Sequence, residues 1–279
     1  MTIQNDPSLS QSTSPTPRPA SRWGLFWDMF LVIVLLAGAY FRLTGIYWGE
    51  YQFLHPDERF LIWVGTDITP IKQEMAKTDG SGTTKVWMSL GDYFNSQSST
   101  MNPVNRGHGY YVYGTLPMFF TRLMVEWTFG HSGFDEMTQM GRVLSTVADL
   151  LTVLLVYVIA KKVYDRRVGV LAAAFSALAV LQIQQSHFFT MDTFINFFTL
   201  LTIYFAVRVL LEGNTAVNWR RDPLFLLSLG FGISLGCAVA SKLNAVPVAL
   251  MLPLPCWYAS SALMLKIAKN KPCAISATW

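Results

Sequence analysis

This sequence is short of charge. Asp, Glu, Lys and Arg make up 14% of its 279 residues, where an ordinary soluble domain carries about a quarter. With 52% hydrophobic residues and a mean hydropathy of +0.35, a water-soluble globule is excluded, and a multi-pass helical membrane protein is the expected class. An excess of one sign is missing too. The net charge of +4 does not make a nucleic-acid surface, so no nucleic-acid partner is expected. Cysteine is rare. Cys237, Cys256 and Cys273 lie in or beside apolar runs without metal-type spacing, which excludes a disulfide framework and leaves them as small core residues. No Asn-x-Ser/Thr triplet occurs between residues 45 and 141, so nothing there invites N-glycosylation. Residues 1–22 lack apolar periodicity and are rich in Ser, Thr, Pro and Asn; they are expected to form a disordered tail.

What the sequence does have is a succession of apolar runs. Six candidate spans cover roughly 24–44, 143–160, 168–189, 191–211, 224–242 and 244–265, each near the ~20 residues a bilayer demands. The first run, Trp23 to Leu43, is too long for a signal-peptide core, and Ala37-Gly38-Ala39 lies inside it, so an uncleaved first span is expected. The organisation that follows is a tail over 1–22, a transmembrane domain over 23–265 and a second tail over 266–279.

One segment, 109–130, is apolar enough to tempt assignment as a further span. His108, Thr115 and Arg122 recur every seven residues, with Glu126 four beyond Arg122. This predicts a polar stripe on a helix lying in the membrane interface. The basic clusters agree. If 109–130 does not cross, Arg18/Arg22, Lys161/Lys162/Arg166/Arg167, Arg208/Arg220/Arg221 and Lys266/Lys269/Lys271 all fall on one side. The positive-inside rule makes that side cytoplasmic. The expected topology has a cytoplasmic N-terminus and one long extracytoplasmic loop over 45–141, in the plasma (inner) membrane. Within the loop, TDGSGTT (78–84) and NSQSST (95–100) read as connectors.

On the loop side of the bilayer the sequence concentrates its chemistry. His55-Pro56-Asp57-Glu58-Arg59 follows the first span directly. Pro56 suits the first residue of a helix, and acids in a first turn face the positive end of the helix dipole, so a plain helix start also accounts for this stretch. Gln182, Gln184, Gln185, Ser186 and His187, followed by Asp192, make a polar patch where two spans meet; ionisable groups at such positions are functional candidates, although a water-facing turn is the simpler reading. Gly230, Gly232 and Gly236 favour close helix packing. Lys242, at the far end of that span, stands against the charge bias; snorkelling to lipid headgroups is its plain explanation. Together, Asp57, Glu58, His108, Arg142, His187, Asp192 and Lys242 are expected on one membrane face. Carboxylates offer a base or a metal site, and the cations offer a seat for a phosphate. That set suits displacement of a lipid phosphate by a hydroxyl or amine, with cations where charge develops.

The chain resembles the GT-C superfamily of membrane glycosyltransferases, nearest the branch of protein O-mannosyltransferases and the lipid A aminoarabinose transferase (glycosyltransferase family 39-like). The stretches carrying the likeness are Tyr40-Phe41-Arg42-Leu43, the pair Asp57-Glu58, Tyr113-Gly114-Thr115-Leu116-Pro117, Arg142-Val143-Leu144-Ser145, VLLVYVIAKKVYDRR (153–167), SHFFTMDTFINFF (186–198) and Ala240-Ser241-Lys242. The resemblance implies an all-α GT-C transmembrane bundle whose long first extracytoplasmic loop carries juxtamembrane helices. It implies Asp57 as catalytic base on the acceptor. Glu58 would assist, by orienting the acceptor or helping to hold a divalent cation (Mg or Mn) at the pair. Arg142 and Lys242 would hold the donor phosphate, and Asp192 would line the pocket near the sugar. His55 and His187 join the substrate side by position only; with His108 they match no family motif. The implied reaction is inverting transfer of a hexosyl or pentosyl group from a polyprenyl-phosphate sugar to a lipid, protein or glycan acceptor. Family members have about twice as many spans, which makes this chain a fragment or one partner of a split protein in expectation. A non-catalytic membrane protein, such as a transporter half or an assembly scaffold, stands as the alternative; transporters place their ionisable groups nearer the midplane.

Overall fold

The computed structural model describes residues 22–49, 52–76, 83–212 and 223–251. In chain order these form α1 (Arg22–Leu43), α2 (Pro56–Asp67), β1 (Ile71–Ala76), β2 (Thr83–Trp87), α3 (Leu90–Phe94), a 3-10 turn (Pro103–Arg106), α4 (Leu116–Phe129), α5 (Phe134–Val163), α6 (Arg166–Leu178), α7 (Val180–Ser186), α8 (Met191–Glu212), α9 (Pro223–Ser241) and a 3-10 helix (Leu243–Met251). Among the described residues α1, α5, α8 and α9 are long and apolar enough to cross a bilayer, and α6 with α7 makes a fifth candidate bent by 59°. The sixth expected span, 244–265, begins as the 3-10 helix; its remainder lies outside the described residues, as do both tails.

Helix α5 has 30 residues and starts well before the expected 143. At 1.5 Å per residue it is about 45 Å long, against a hydrocarbon core of ~30 Å. The helix therefore exceeds the apolar layer by about 15 Å; its first turn carries Asp135 and Glu136, and Arg142 follows within its first three turns.

The bend between α6 and α7 has an identifiable cause. No Pro or Gly lies between Leu171 and His187. Instead the α1 side chain of Arg42, fully buried, reaches across to the end of α6. It donates to the carbonyls of Ala177 (2.8 Å) and Ser176 (3.3 Å), to Gly38 in its own helix (3.1 Å), and to Asp149 Oδ2 on α5 (2.5 Å). A guanidinium satisfies carbonyls that a helix end leaves orphaned, and a cation suits a helix C-terminus. A side chain inserted into the hydrogen-bond ladder is a recognised origin of helix kinks.

The long first loop is a structured cap. Leu61, Ile62 and Val64 of α2, Met118 and Val125 of α4, and Met137 of α5 share one buried cluster. Asn95–Thr100 is a turn, as expected; of the other expected connector, 78–84, residues 78–82 lie outside the described residues, and Thr83 and Thr84 belong to β2, which pairs antiparallel with β1, Ile71 opposite Trp87 and Glu74 opposite Lys85, a pairing the sequence did not announce. A capping box, in which Ser89 and Asp92 bond each other's backbone, starts α3. Lys72 joins Asp92 at 2.6 Å, and this hydrogen bond, then those of Ser89, pull the Asp92 carboxyl down to about 2.

The expected polar stripe is corrected. The helix begins only at Leu116; His108 precedes it and hydrogen-bonds Asp67 Oδ2 at 2.8 Å, and Thr115 is the cap position. Arg122 and Glu126 do share a face, but they turn inward. Arg122 donates to Glu126 (2.8 Å) and to the Ile68 carbonyl (2.9 Å), and Lys85 from the hairpin bonds both Glu126 and the Gly130 carbonyl. Burial opposes the Glu126 charge, yet the Lys85 and Arg122 bonds outweigh it and hold the carboxyl below its ordinary range. The outward side of α4 shows Phe120, Leu123 and Trp127, the last 77% exposed. A helix with its charges inside and its apolar residues outside is built for a lipid surface.

Candidate active site

Helix α2 begins as its sequence predicts. His55 is an extended N-cap, Pro56 opens the helix, and Asp57 and Glu58 occupy the first turn. Adjacent residues of a helix point about 100° apart, so the acidic pair divides. Glu58 lies on the face of Leu61, Ile62 and Gly65, all buried. Gly65 lets the Met137 side chain pack close: a Cβ there would stand 2.3 Å from Met137 Cε, which would have to move aside. Asp57 turns to the other side and is half-buried.

Glu58 has no solvent exposure. Its two oxygens receive Nε and Nη2 of Arg142, each at 2.8 Å, and the Phe189 backbone N–H adds a third bond at 2.9 Å. Arg142 Nη1 donates to the carbonyls of Ile46 (2.8 Å) and Trp48 (3.2 Å). A bidentate Arg–carboxylate pair fixes geometry as well as charge, and this one ties α2, α5, the turn after α1 and the segment before α8 to one point. Arg142 thus makes four hydrogen bonds within the protein, from a group with five N–H donors, which leaves little of it for the donor phosphate expected there. Glu58 likewise has both oxygens engaged, by Arg142 and by the Phe189 N–H. The divalent cation expected at the pair does not fit either: a hard cation needs carboxylate oxygens, and both of Glu58's face a guanidinium. No group of three or more His, Cys, Asp and Glu among the described residues is placed to hold a metal.

In front of this anchor stands a second cluster. Asp192, in the first turn of α8, accepts from Lys242 Nζ at 2.6 Å, and both side chains keep about a third of their exposure (37% and 31%). An ammonium has three donors, so Lys242 keeps N–H groups for a second anion. Tyr113 feels the carboxylates of both α2 and α8. Burial, then a hydrogen bond to Asp57, then the charges of Asp57 and Asp192 push its phenol up to about 12. The next residue, Gly114, abuts the end of α9: a Cβ there would stand 2.1 Å from the Ala240 carbonyl oxygen. Asp192 and Lys242 are thus paired, and Tyr113, within reach of the charges of both Asp57 and Asp192, is a neighbour to which the sequence assigned no role. A tyrosine at this point carries no periodic signal; the neighbouring glycine was the only local mark of a tight approach.

The histidines are placed as supports. His187 sets Nδ1 against the Ile183 carbonyl (2.7 Å) and Nε2 against Thr44 (2.9 Å), pinning the end of α7 to the end of α1. His55 packs its ring on Phe188, centroids 4.6 Å apart; its buried Nδ1 has no hydrogen-bond partner. His108 lies edge-on to Trp63, away from the acidic cluster.

An apolar helix bundle beneath a structured first loop, with a carboxylate and a cation meeting at its rim, defines a GT-C-type membrane protein. The crystal structure of the Archaeoglobus fulgidus oligosaccharyltransferase in the apo form has the same fold over 80% of this chain, with a TM-score of 0.57 and 14% identity. The chain spans about a quarter (24%) of the length of that structure. The sequence pattern of the dolichyl-phosphate-mannose-protein mannosyltransferase family matches residues 123–278, more than half of the chain, and the chain belongs to that family. No curated protein matches it.

Proposed function

We propose that this chain supplies the catalytic first loop and adjoining spans of a membrane glycosyltransferase, which moves a sugar from a polyprenyl-phosphate donor to a hydroxyl acceptor on the extracytoplasmic face. The observation that carries the proposal is the division of labour in the acidic pair. Glu58 is buried and bonded through both oxygens, while Asp57 is half-exposed and, like Asp192, bears on the phenol of Tyr113. In this reading Asp57 takes the proton from the acceptor O–H as the new C1–O bond forms. The bond from C1 to the phosphate oxygen breaks, and the polyprenyl phosphate leaves with the electron pair. Attack opposite the leaving group inverts C1. The leaving phosphate is stable as an anion and needs a cation rather than an acid; Lys242 provides it, and Asp192 holds Lys242 in place and borders the sugar.

The test is a transfer assay on the full-length membrane protein with a polyprenyl-phosphate sugar. Asp57→Asn keeps shape and polarity but removes the base, and turnover should fall about 10²–10⁴-fold with donor binding retained. Wild-type turnover in Asp57→Asn would leave the pair as a helix start and nothing more.

A further inference from the structure

The basic turn between α5 and α6 takes no part in the candidate site. Arg142 and Lys161 lie about 28 Å apart along α5, close to the ~30 Å of a hydrocarbon core, so this turn meets the opposite surface of the bilayer. Lys161, Lys162, Arg166 and Arg167 crowd into it, with Asp165 among them and Asp28 of α1 alongside.

Both carboxylates are already committed. Asp165 accepts the Val168 N–H at 2.9 Å and caps α6. Asp28 pairs with Arg166 at 3.3 Å, and the same guanidinium donates to the Gly24 carbonyl at 2.8 Å, which fastens the start of α6 to the start of α1. Lys161 and Arg167 are exposed, and among the described residues no carboxylate pairs with either. Each is held against a ring instead. Arg167 lies over Trp27 of α1, 6.0 Å from the ring centroid, and Lys161 lies over Tyr157, 5.3 Å away. Gly169 brings the two helices close: a Cβ there would stand 3.1 Å from Lys161 Cβ. An aromatic face attracts a cation without using up its N–H donors. Two cations, their stems placed by α1, α5 and α6, thus keep hydrogen bonds for an anion.

What continues below Arg167 identifies the carrier of that anion. Leu171, Phe175 and Leu178 follow it at helical spacing on one face of α6, and all three are exposed. The stripe runs about 16 Å along the helix, the depth of one leaflet of a ~30 Å core. Tyr164, at the turn itself, is exposed too, as suits an aromatic ring at the membrane–water boundary. A free phosphate would use the cations alone. A phospholipid uses both parts, with a phosphodiester for Lys161 and Arg167 and an acyl chain for the stripe.

We infer that the α5–α6 turn is a binding site for an anionic phospholipid: Lys161 and Arg167 hold the phosphodiester of its headgroup, and one acyl chain runs along Leu171, Phe175 and Leu178. Basic pockets between spans recognise anionic headgroups in this way. A zwitterionic headgroup is disfavoured, because its own ammonium neutralises the phosphate and is repelled by the same cations. The site stands apart from Asp57, Asp192 and Lys242 and does not depend on the transferase reading.

The experiment is native mass spectrometry of the full-length protein in detergent, titrated with phosphatidylglycerol or with phosphatidylcholine of the same acyl chains. Wild type should bind its first phosphatidylglycerol about tenfold more tightly than its first phosphatidylcholine, from two cations at the membrane surface. Lys161→Gln with Arg167→Gln should bring the two lipids to equal affinity while melting with wild type, as exposed changes do. Arg167→Lys keeps the charge without the planar fork and should keep most of the preference. Arg106→Gln, which removes an exposed cation of the first loop, should keep all of it. Phe175→Ala should weaken both lipids alike and leave their ratio unchanged. Equal affinities in wild type overturn the inference, as does a preference that survives in the double variant. Displacement of phosphatidylglycerol by millimolar inorganic phosphate would give the cations to a free phosphate and overturn the lipid assignment. Unchanged binding of both lipids in Phe175→Ala would remove the chain from the stripe and overturn it as well.

Discussion

The Glu58–Arg142 pair makes a prediction opposite in kind to that for Asp57. In Glu58→Gln the side chain keeps its volume and one carbonyl oxygen, but its amide N–H groups now meet a guanidinium that has only donors. Arg142, 5% exposed, keeps two backbone carbonyls and loses its only counter-charge among the contacts described. The Phe189 N–H also risks losing its acceptor. Breaking one side of a buried ion pair costs about 3–5 kcal/mol. In a domain of this size a kilocalorie moves the unfolding midpoint by about 2–4 °C, so Glu58→Gln should melt about 10 °C below wild type in detergent. Asp57→Asn, at the neighbouring position but half-exposed, should melt within about 2 °C of wild type, as surface changes do. The assay is a thermal shift on purified protein, with a double-mutant cycle. Because apolar replacement of both partners is often nearly neutral, Glu58→Leu with Arg142→Met should recover much of what either single change loses. Equal melting of Glu58→Gln and wild type, or additive losses in the double variant, would refute the buried-anchor account.

Other consequences can be measured separately. Lys242→Ala should weaken donor binding about tenfold and Lys242→Arg should restore part of it, read by titration with a polyprenyl-phosphate sugar; equal affinities in all three would return Lys242 to a headgroup contact. Single cysteines at Gly133 and Tyr164, at opposite ends of α5, should label from opposite sides of the membrane, Gly133 from the extracytoplasmic side; labelling of Gly133 from the cytoplasm would reverse the topology. Because Glu126 has its folded value below its unfolded one, its hold on the hairpin is complete above the ordinary Glu range near 4.3 and fades as pH drops through the lower folded value. Hydrogen exchange in β1 should therefore stay slow at pH 5 and quicken only in stronger acid, whereas Glu126→Gln should quicken it at neutral pH.

How much of this could be read in the residues depended on whether the cause was local. Span positions follow from apolar length, and five of the six expected runs coincide with described candidate spans. The start of α2 follows from Pro56 and its acids. The inward turn of Glu58 was also legible: Glu58, Leu61, Ile62 and Gly65 repeat with helical spacing, and reading Asp57-Glu58 as a single motif hid it. The anchoring bonds of Arg142 were not legible because its partners lie 84 to 96 residues away, beyond any local pattern. The hairpin was hidden by short strands with mixed charges, Ile71-Lys72-Gln73-Glu74 against Lys85-Val86-Trp87, whose fit depends on the buried Glu126 rather than on alternation. Tyr113 is recognisable only once α2, α8 and α9 are assembled around it.

The bend after α6 belongs to α1 as much as to the helix that bends. Residues 171–186 hold no Pro or Gly to turn a helix; the carbonyls freed at the corner are met by a guanidinium inserted more than 130 residues earlier in synthesis. The shape of this span is therefore inherited from the order in which helices arrive. A change confined to Arg42 or Asp149 would be felt first at the far end of α7, where Ser186 bonds Thr146 and Phe189 meets Glu58. Apolar membrane segments are often exchanged between relatives as if they were interchangeable greasy rods. Here a graft of the bent segment without its α1 would carry the letters and lose the corner.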